Sequence, residues 1–226
     1  MRLMEYKYEM HCHTAMVSQC GRVEPRDIVR MYREKGYSGL VVTEHYSPLT
    51  FGINSYYKPQ RLIDFYLSSY YEMKKYEDAD FTVLLGMELR HYATGADYLI
   101  YGLEDTWLKQ QGNLMALWEK QPYQLMHGAG YLVYQAHPFR PYILRCNPDY
   151  IDGIEIYNGK CDKTTNDKAL EWAKRTGKLM VSGSDFHTPK HLARGGIITT
   201  HKITTNAELV ETLKAQDFKM IKTYES

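Results

Sequence analysis

The sequence predicts an α/β fold in one domain, a barrel of parallel strands wrapped by helices. Three observations carry that expectation. Short apolar runs alternate with longer amphipathic ones about seven times along the chain, the pattern of strands joined by helical crossovers. No repeat, low-complexity tract or Pro/Gly/Ser-rich linker divides the 226 residues. Nearly every residue suited to bind a metal stands at the end of a different strand-like run. An open doubly wound sheet concentrates its site at one switch point, whereas a barrel builds it from loops above many strand ends. The dispersed candidates therefore select the barrel, and no glycine-rich nucleotide loop argues against it.

The elements follow in order. Tyr6–Met10 predicts a strand ending at His11. Pro25–Lys35 predicts a helix with proline in its first turn and Gly36 at its end. Gly39–Val42 predicts a short buried strand leading into Glu44-His45. Gln60–Glu77 predicts a helix with an aromatic face. Phe81–Leu85 and Tyr98–Tyr101 predict strands, the first leading to Glu88 and the second starting just after Asp97. Asn113–His127 predicts a helix that Pro122 kinks or splits. Tyr131–Gln135 predicts a strand ending at His137-Pro138, and Gly153–Ile156 one that contains Glu155. Thr165–Thr176 predicts a helix closed by Gly177. Leu179–Ser182 predicts a strand ending at Asp185 and His187. Ile197–Thr200 predicts a last strand, and Asn206–Ala215 a last helix with Asn206 as its N-cap.

Composition narrows the function classes. The chain is 44% hydrophobic and 24% charged, which supports a packed core rather than disorder. A formal net charge of +1 argues against a bulk electrostatic nucleic-acid binder. There is no apolar run of about 18 residues, so no membrane span is expected. Met1–Met10 is charged and lacks an apolar centre, so it does not read as a signal peptide. Cys12, Cys20, Cys146 and Cys161 show no C-x-x-C spacing, which suits reduced thiols and a cytoplasmic location. The 21 tyrosines, with doublets at Tyr56-Tyr57 and Tyr70-Tyr71, read mainly as packing residues, some of them lining a pocket.

The chemistry concentrates in His11-Cys12-His13 and in Gly183-Ser184-Asp185-Phe186-His187. On an extended chain residues i and i+2 face the same side, so each segment presents two ligands together while Cys12 and Phe186 turn away. With His45, Glu88, Asp97 and His137 the set reaches eight, which suits zinc, manganese or iron. Eight ligands exceed one ion and fit two or three ions sharing a carboxylate. Metals about 3.5–4 Å apart clamp a phosphate and activate a water, so phosphate-ester hydrolysis is the reaction this set serves best.

These residues resemble the PHP (polymerase and histidinol phosphatase) domain. The matching stretches are His11-Cys12-His13-Thr14, Thr43-Glu44-His45, Gly86-Met87-Glu88, Ala136-His137-Pro138-Phe139-Arg140, Gly153–Asn158 and Gly183–His187, spread over essentially the whole chain, 1–226. The resemblance implies a distorted (β/α)7 TIM-like barrel with a metal cluster at the C-terminal rim. It implies one metal position from His11, His13, Glu88 and Asp185, and a second from Glu88, Asp97 and His137. Asp97 stands where many members have histidine. It implies a third position from His45, His187 and a residue that falls at Gln19, whose amide is a poor ligand.

Other residues have roles open at this stage. Glu44 is a ligand-orienting group or a plain strand-end charge, and Glu155 supports ligands or structure rather than ligating. Arg140 and Arg194 are weaker candidates for holding the substrate phosphate. Asp185 and His187 are candidates for protonating the leaving group. His91, His191 and His201 read as rim or surface residues, and His127 as a helix-end histidine. Segments 47–58 and 139–149 are expected to form the pocket.

The expected function is a metal-dependent phosphomonoesterase, histidinol-phosphatase-like, acting on a small phosphorylated metabolite through a metal-activated water. Three alternatives stand beside it: a regulatory metal-binding domain without catalysis, a PHP-type protein-tyrosine phosphatase, and a nuclease. The near-neutral charge disfavours the nuclease.

Overall fold

The computed structural model describes residues 4–52, 58–91, 95–118 and 120–224. The strands are β1 (Tyr6–Cys12), β2 (Gly39–Val42), β3 (His45–Tyr46), β4 (Thr82–Arg90), β5 (Asp97–Tyr101), β6 (Leu132–Gln135), β7 (Gly153–Asn158), β8 (Leu179–Gly183), β9 (Gly195–Thr199) and β10 (Lys219–Lys222). They form one curved sheet in the order β10-β9-β1-β2-β4-β5-β6-β7-β8, with β3 on the upper end of β4. The two ends of the curve meet beyond β8. There Phe186 N donates to His11 O at 2.9 Å and His13 N donates to Phe186 O at 3.0 Å. That bridge closes the barrel at the level of the predicted ligands.

The sheet departs from the expected parallel pairing. β5 is antiparallel to both β4 and β6, β9 is antiparallel to β1, and β10 to β9. Only six residues, 91–96, separate β4 from β5, too few for a helical crossover, so the chain must turn back. The reversal has a functional result: β5 begins where its neighbours end. Its first residue, Asp97, therefore lies on the same rim as Glu88 and His137. β4 also runs past the expected end, so Glu88 sits inside a strand, between His45 of β3 and Leu99 of β5.

The helices are α1 (Pro25–Glu34), α2 (Pro48–Phe51), α3 (Pro59–Lys74), α4 (Asp105–Leu108), α5 (Gln121–Gly128), α6 (Lys163–Thr176) and α7 (Asn206–Ala215). Proline opens four of them, at Pro25, Pro48, Pro59 and Pro122, where the missing N–H has no helical partner to lose. Pro122 accordingly starts α5 rather than kinking a longer helix; the first part of the expected 113–127 helix is a single tight turn at Leu114–Ala116. Gly177 closes α6 with φ +64°. The cap of α7 is Thr205, not Asn206. Thr205 Oγ1 accepts from Glu208 N at 3.2 Å while Thr205 N donates to the Glu208 carboxylate. Asn206 instead donates to Leu103 O at 2.6 Å, tying α7 under the far end of β5.

The barrel interior is filled by Met10, Val41, Leu84, Leu99, Tyr101, Leu132, Tyr134 and Val181, with Leu209 and Leu213 of α7 plugging the end away from the ligand rim. Burial on this scale is the principal stabilising contribution to such a fold. It leaves the opposite rim to polar groups. Among the described residues no helix is long and apolar enough to cross a membrane.

Candidate metal centre

The rim brings all eight predicted ligands together. Extended backbone through Cys12 turns His11 and His13 to one side, while Cys12 packs on the other among Val23, Ile28 and Phe186. Glu88 is the hub. Its Oε2 lies 3.4 Å from His11 Nε2, 3.2 Å from His13 Nε2 and 2.7 Å from His45 Nδ1; its Oε1 lies 2.9 Å from His137 Nε2. Asp185 Oδ1 lies 3.6 Å from His11 Nε2, 3.5 Å from His13 Nε2 and 3.1 Å from His187 Nδ1. Asp97 Oδ2 is 4.0 Å from His137 Nε2. Two of these residues, His137 and Asp185, hold positive φ angles of 29° and 52°, a strained backbone of the kind that clusters at functional sites.

The donor set fits a metal. His11 Nε2, His13 Nε2, Glu88 Oε2 and His137 Nδ1 are buried with no hydrogen-bond partner. Each such orphan costs about 1–3 kcal/mol, so several converging on one space require something between them. Burial lowers the imidazoles of His11, His45 and His187, but neighbouring carboxylates raise all three above their ordinary value, and the Glu88 and Asp185 carboxyls are held ionised. Burial pushes the Glu88 carboxyl up, but the imidazoles of His45 and His11 hold it well below the usual carboxylate range. Burial likewise opposes ionisation of Asp185, and His11 and Arg140 overcome it. Burial, with the His45 and His187 rings beside it, takes His13 down to about 3, leaving a neutral imidazole able to ligate.

A ring of buried carboxylates fixes these ligands from behind. Glu155 Oε1 sits 2.8 Å from His11 Nδ1, which leaves Nε2 for the centre, and its Oε2 accepts from His137 N and Asn158 Nδ2, both at 2.9 Å. Glu44 accepts from Thr14 N and from Ser18 Oγ, shaping loop 14–18 beneath His13. Glu155 and Glu44 thus both support ligands. Glu9 went unrecognised in the sequence. Its Oε1 accepts from Met10 N, His11 N and Ser184 N at 3.0, 2.9 and 2.8 Å, and its Oε2 from Tyr32 Oη at 2.7 Å. It clamps β1 to the chain after β8. The signal was available, since Glu9, His11 and His13 share one face at steps of two.

Residues 163–218, from α6 through α7, match the model of the PHP-associated family. No curated protein matches the chain in sequence. Among solved structures, PsfC from Pseudomonas syringae superposes with a TM-score of 0.72 at 13% identity, over 97% of this chain and 92% of that one. The lesion-specific endonuclease EndoQ from Pyrococcus furiosus gives 0.68 at 16%, over 96% of this chain but only 58% of the endonuclease. A protein from Bifidobacterium adolescentis assigned as a metal-dependent phosphoesterase gives 0.52 at 16%, over 92% and 95%. The family match is confined to that C-terminal segment. At these identities the structural likenesses are of fold.

Around these candidate ligands, several expectations need correction. Arg140 is brought to the site, with Nη2 2.5 Å from Asp185 Oδ2 and 2.7 Å from Asn158 Oδ1. Arg194 is not; it donates to Gly159 O at 3.0 Å and lines a separate cavity with Tyr157, Lys160 and Tyr224. Arg90, unremarked in the sequence, grips Asp97 through two bonds of 2.7 and 2.6 Å. Lys160 Nζ stands 3.4 Å from His187 Nδ1 and 3.8 Å from Asp185 Oδ2. His91 is buried against Tyr98 rather than on the surface. His127, near the end of α5, pairs with Asp152 at 3.0 Å.

The largest correction concerns Gln19. It is exposed at the cavity edge, as is Cys20 beside it. Burial raises the Cys20 thiol, but the imidazoles of His187 and His45 bring it down to about 6. Cys20 lies in a cavity of about 420 Å³ with Arg22, His45, Ser47, Thr50 and Arg90, while Phe139, Arg140, Ile143 and Trp172 line another of about 790 Å³. The expected pocket segments thus contribute on both sides; residues 53–57, with Tyr56 and Tyr57, lie outside the described residues.

Proposed function

We propose that this PHP domain hydrolyses phosphate monoesters of small molecules, using divalent metals held at the barrel rim. The observation that carries this reading is the convergence of the unpartnered, buried His11 Nε2 and His13 Nε2 on the unpartnered Glu88 Oε2. His11, His13, Glu88 and Asp185 would hold one metal, and Glu88, Asp97 and His137 a second. Zinc, manganese or iron bound there would act as a Lewis acid on the phosphoryl oxygens and acidify a bound water.

The chain's own groups do the rest. Arg140, anchored on Asp185 and Asn158, turns its remaining N–H groups to the phosphoryl oxygens, a fork that suits phosphate. Asp185, held ionised, has no proton to give and serves as a ligand. Lys160, beside His187 and Asp185, is the cation placed to stabilise charge on the departing oxygen and supply its proton. Glu155 holds the His11 tautomer throughout. A monoester rather than a polynucleotide is favoured by the net charge of +1, which is small for a bulk electrostatic nucleic-acid binder.

Purified His11→Ala and Asp185→Asn variants, shown folded by circular dichroism, test the reading against a generic phosphomonoester with added manganese or zinc. Loss of turnover and of bound metal in both supports it. Undiminished turnover overturns it. Metal retained by the native chain with no turnover on monoesters favours the regulatory alternative, and turnover on DNA alone favours the nuclease. A panel of phosphorylated metabolites, histidinol phosphate among them, then identifies the substrate.

A further inference from the structure

We propose that the cavity of about 790 Å³ beside Arg140 is the leaving-group subsite, and that it selects phosphomonoesters whose leaving group joins a flat apolar body to a second anionic group. The inference rests on reading the rim as a phosphomonoesterase centre and names the substrate class of that same site. One turn joins the cavity to the rim. Arg140 N donates to His137 O at 3.0 Å, so His137, Phe139 and Arg140 stand on a single tight turn after β6. His137 faces the centre, its Nε2 2.9 Å from Glu88 Oε1. Arg140 Nη2 reaches Asp185 Oδ2 at 2.5 Å, and Lys160 Nζ stands 3.8 Å from that same oxygen. A phosphoryl group gripped by Arg140 thus has this cavity directly beside it, with room for the body it leaves.

The cavity wall is apolar and its mouth is cationic. Phe139 and the buried Trp172 meet edge to face with ring centroids 6.1 Å apart, and Ile143 lines the same space. Such a wall favours a flat apolar body, and the volume is that of a small-molecule site. The loop on one side is braced from β6. Buried Gln135 donates through Nε2 to Leu144 O at 2.6 Å and accepts from Cys146 N at 3.0 Å, so the cavity is formed before a ligand arrives. Arg145 of this loop and Lys168 of α6 are exposed on its lining. Among the described residues neither has a carboxylate partner. Arg145 lies over the Phe139 ring at 5.1 Å. The acidic residues nearest Lys168 on its helix are taken, Asp167 by Lys163 at 2.6 Å and Glu171 by Lys174 at 3.0 Å. The other two cavities differ. Arg90 is bound to Asp97, and Arg22 to the Gln19 and Gly21 carbonyls. Lys163 is bound to Asp167, and Arg194 to Gly159 O. The cations left without a carboxylate therefore mark the cavity beside Arg140 for a carboxylate or a second phosphate, and against an ammonium-bearing body such as that of histidinol phosphate.

Benzyl phosphates that share one body read the preference as ratios of kcat/KM within one protein: unsubstituted, 4-carboxy, 4-phosphono and 4-aminomethyl. The expected order puts an anionic ester first and the ammonium ester last. The better anion should exceed the neutral ester by about threefold to tenfold, the scale of one or two exposed ion pairs. Whether carboxylate or phosphonate leads identifies the anion. The ratio should fall toward one in the Arg145→Gln/Lys168→Gln double variant, shown folded by circular dichroism, and return in Arg145→Lys/Lys168→Arg. The matching benzylphosphonates, which are not hydrolysed, should show the same order by isothermal titration without turnover. A native ratio near one, or a ratio unchanged in the double variant, overturns the subsite and leaves hydrolysis standing. Ethyl phosphate turned over as well as the benzyl ester overturns the apolar wall. An anionic preference in the phosphonate titrations with no ester hydrolysed overturns the phosphomonoesterase reading and leaves the subsite standing. Neither turnover nor binding overturns both.

Discussion

The ligand rim has an inner and an outer part, and they are held in different ways. The inner part, His11, His13, Glu88, His137 and Asp185, is buried, and its members sit on strands or within two residues of a strand end. Each is fixed by the ladder, and most are gripped from behind by a buried carboxylate or guanidinium. The outer part, His45 and His187, hangs on a two-residue strand and a loop, and the His45 side chain is 26% exposed. Rigid ladders give pre-organised geometry, whereas loops give access and variation. A site divided this way keeps its chemistry constant at the centre while its edge adapts.

The sharpest way to break the comparison is Glu88→Gln. Glu88 is the one residue that touches His11, His13, His45 and His137. Removing its charge should empty the inner part, reducing turnover by about 10³-fold or more, the scale of losing a principal electrostatic contribution. Metal analysis should show the inner ions gone. His45→Ala should leave the inner ions in place. Equal losses in the two variants would erase the distinction between the parts.

Next in size is the support beneath the inner part. Burial pushes the Glu9 carboxyl up from 4.5 to about 7, against the hydrogen bonds from Ser184, His11 and Tyr32. The folded chain therefore binds this proton more tightly than the unfolded chain. Stability from this group is full below about pH 4.5 and is lost as pH rises through about 7, by on the order of 3 kcal/mol. Glu9→Gln removes that proton uptake. Its Oε1 keeps the three backbone donors, and its amide donates to Tyr32 Oη, which turns acceptor. Urea unfolding at pH 5 and pH 8 measures it: native stability should fall between the two relative to the variant. Parallel pH dependences would mean that Glu9 stays ionised in the fold.

Glu155→Gln should cost about 10–100-fold in metal affinity with the fold intact, since it fixes the His11 tautomer rather than ligating. Isothermal titration with zinc reads it. Ser18→Ala, which removes the hydroxyl 3.2 Å from His13 Nδ1 and the acceptor of His45 N, should weaken metal binding in both parts.

The two parts also differ in how far they could be read from sequence. His11, His13, Asp185 and Glu88 announce themselves because ligands at strand ends follow the period of two. The barrel follows from alternating runs, and the antiparallel β5 escapes because its turn at 91–96 carries no signal of direction. Loop 14–22 has no period at all. Counting from His11 lands on Gln19, but Gly21 and the Ser18–Glu44 bond tighten the turn so that Gln19 stays exposed at the cavity edge. Which side chain a loop presents is decided by such contacts between residues far apart in sequence. Arg90 escapes for the same reason, because its partner Asp97 reaches it only when β5 folds back on β4.

That pair sets the smallest expected effect. Burial and the neighbouring Glu88 charge raise the Asp97 carboxyl, while His137 and the Arg90 fork oppose them. Without Arg90 the proton is held to higher pH. A metal ligand must be deprotonated, so a bound metal then competes with that proton. Arg90→Ala should therefore weaken the metal shared by Glu88, Asp97 and His137 by about threefold to tenfold at pH 6 and far less at pH 8. Arg90→Lys, which keeps the charge but not the fork, should fall between. Zinc titrations of the three proteins at both pH values measure the difference. The native pH dependence retained in Arg90→Ala would show that Asp97 is no ligand, and would confine the inner part to the residues around Glu88 and Asp185.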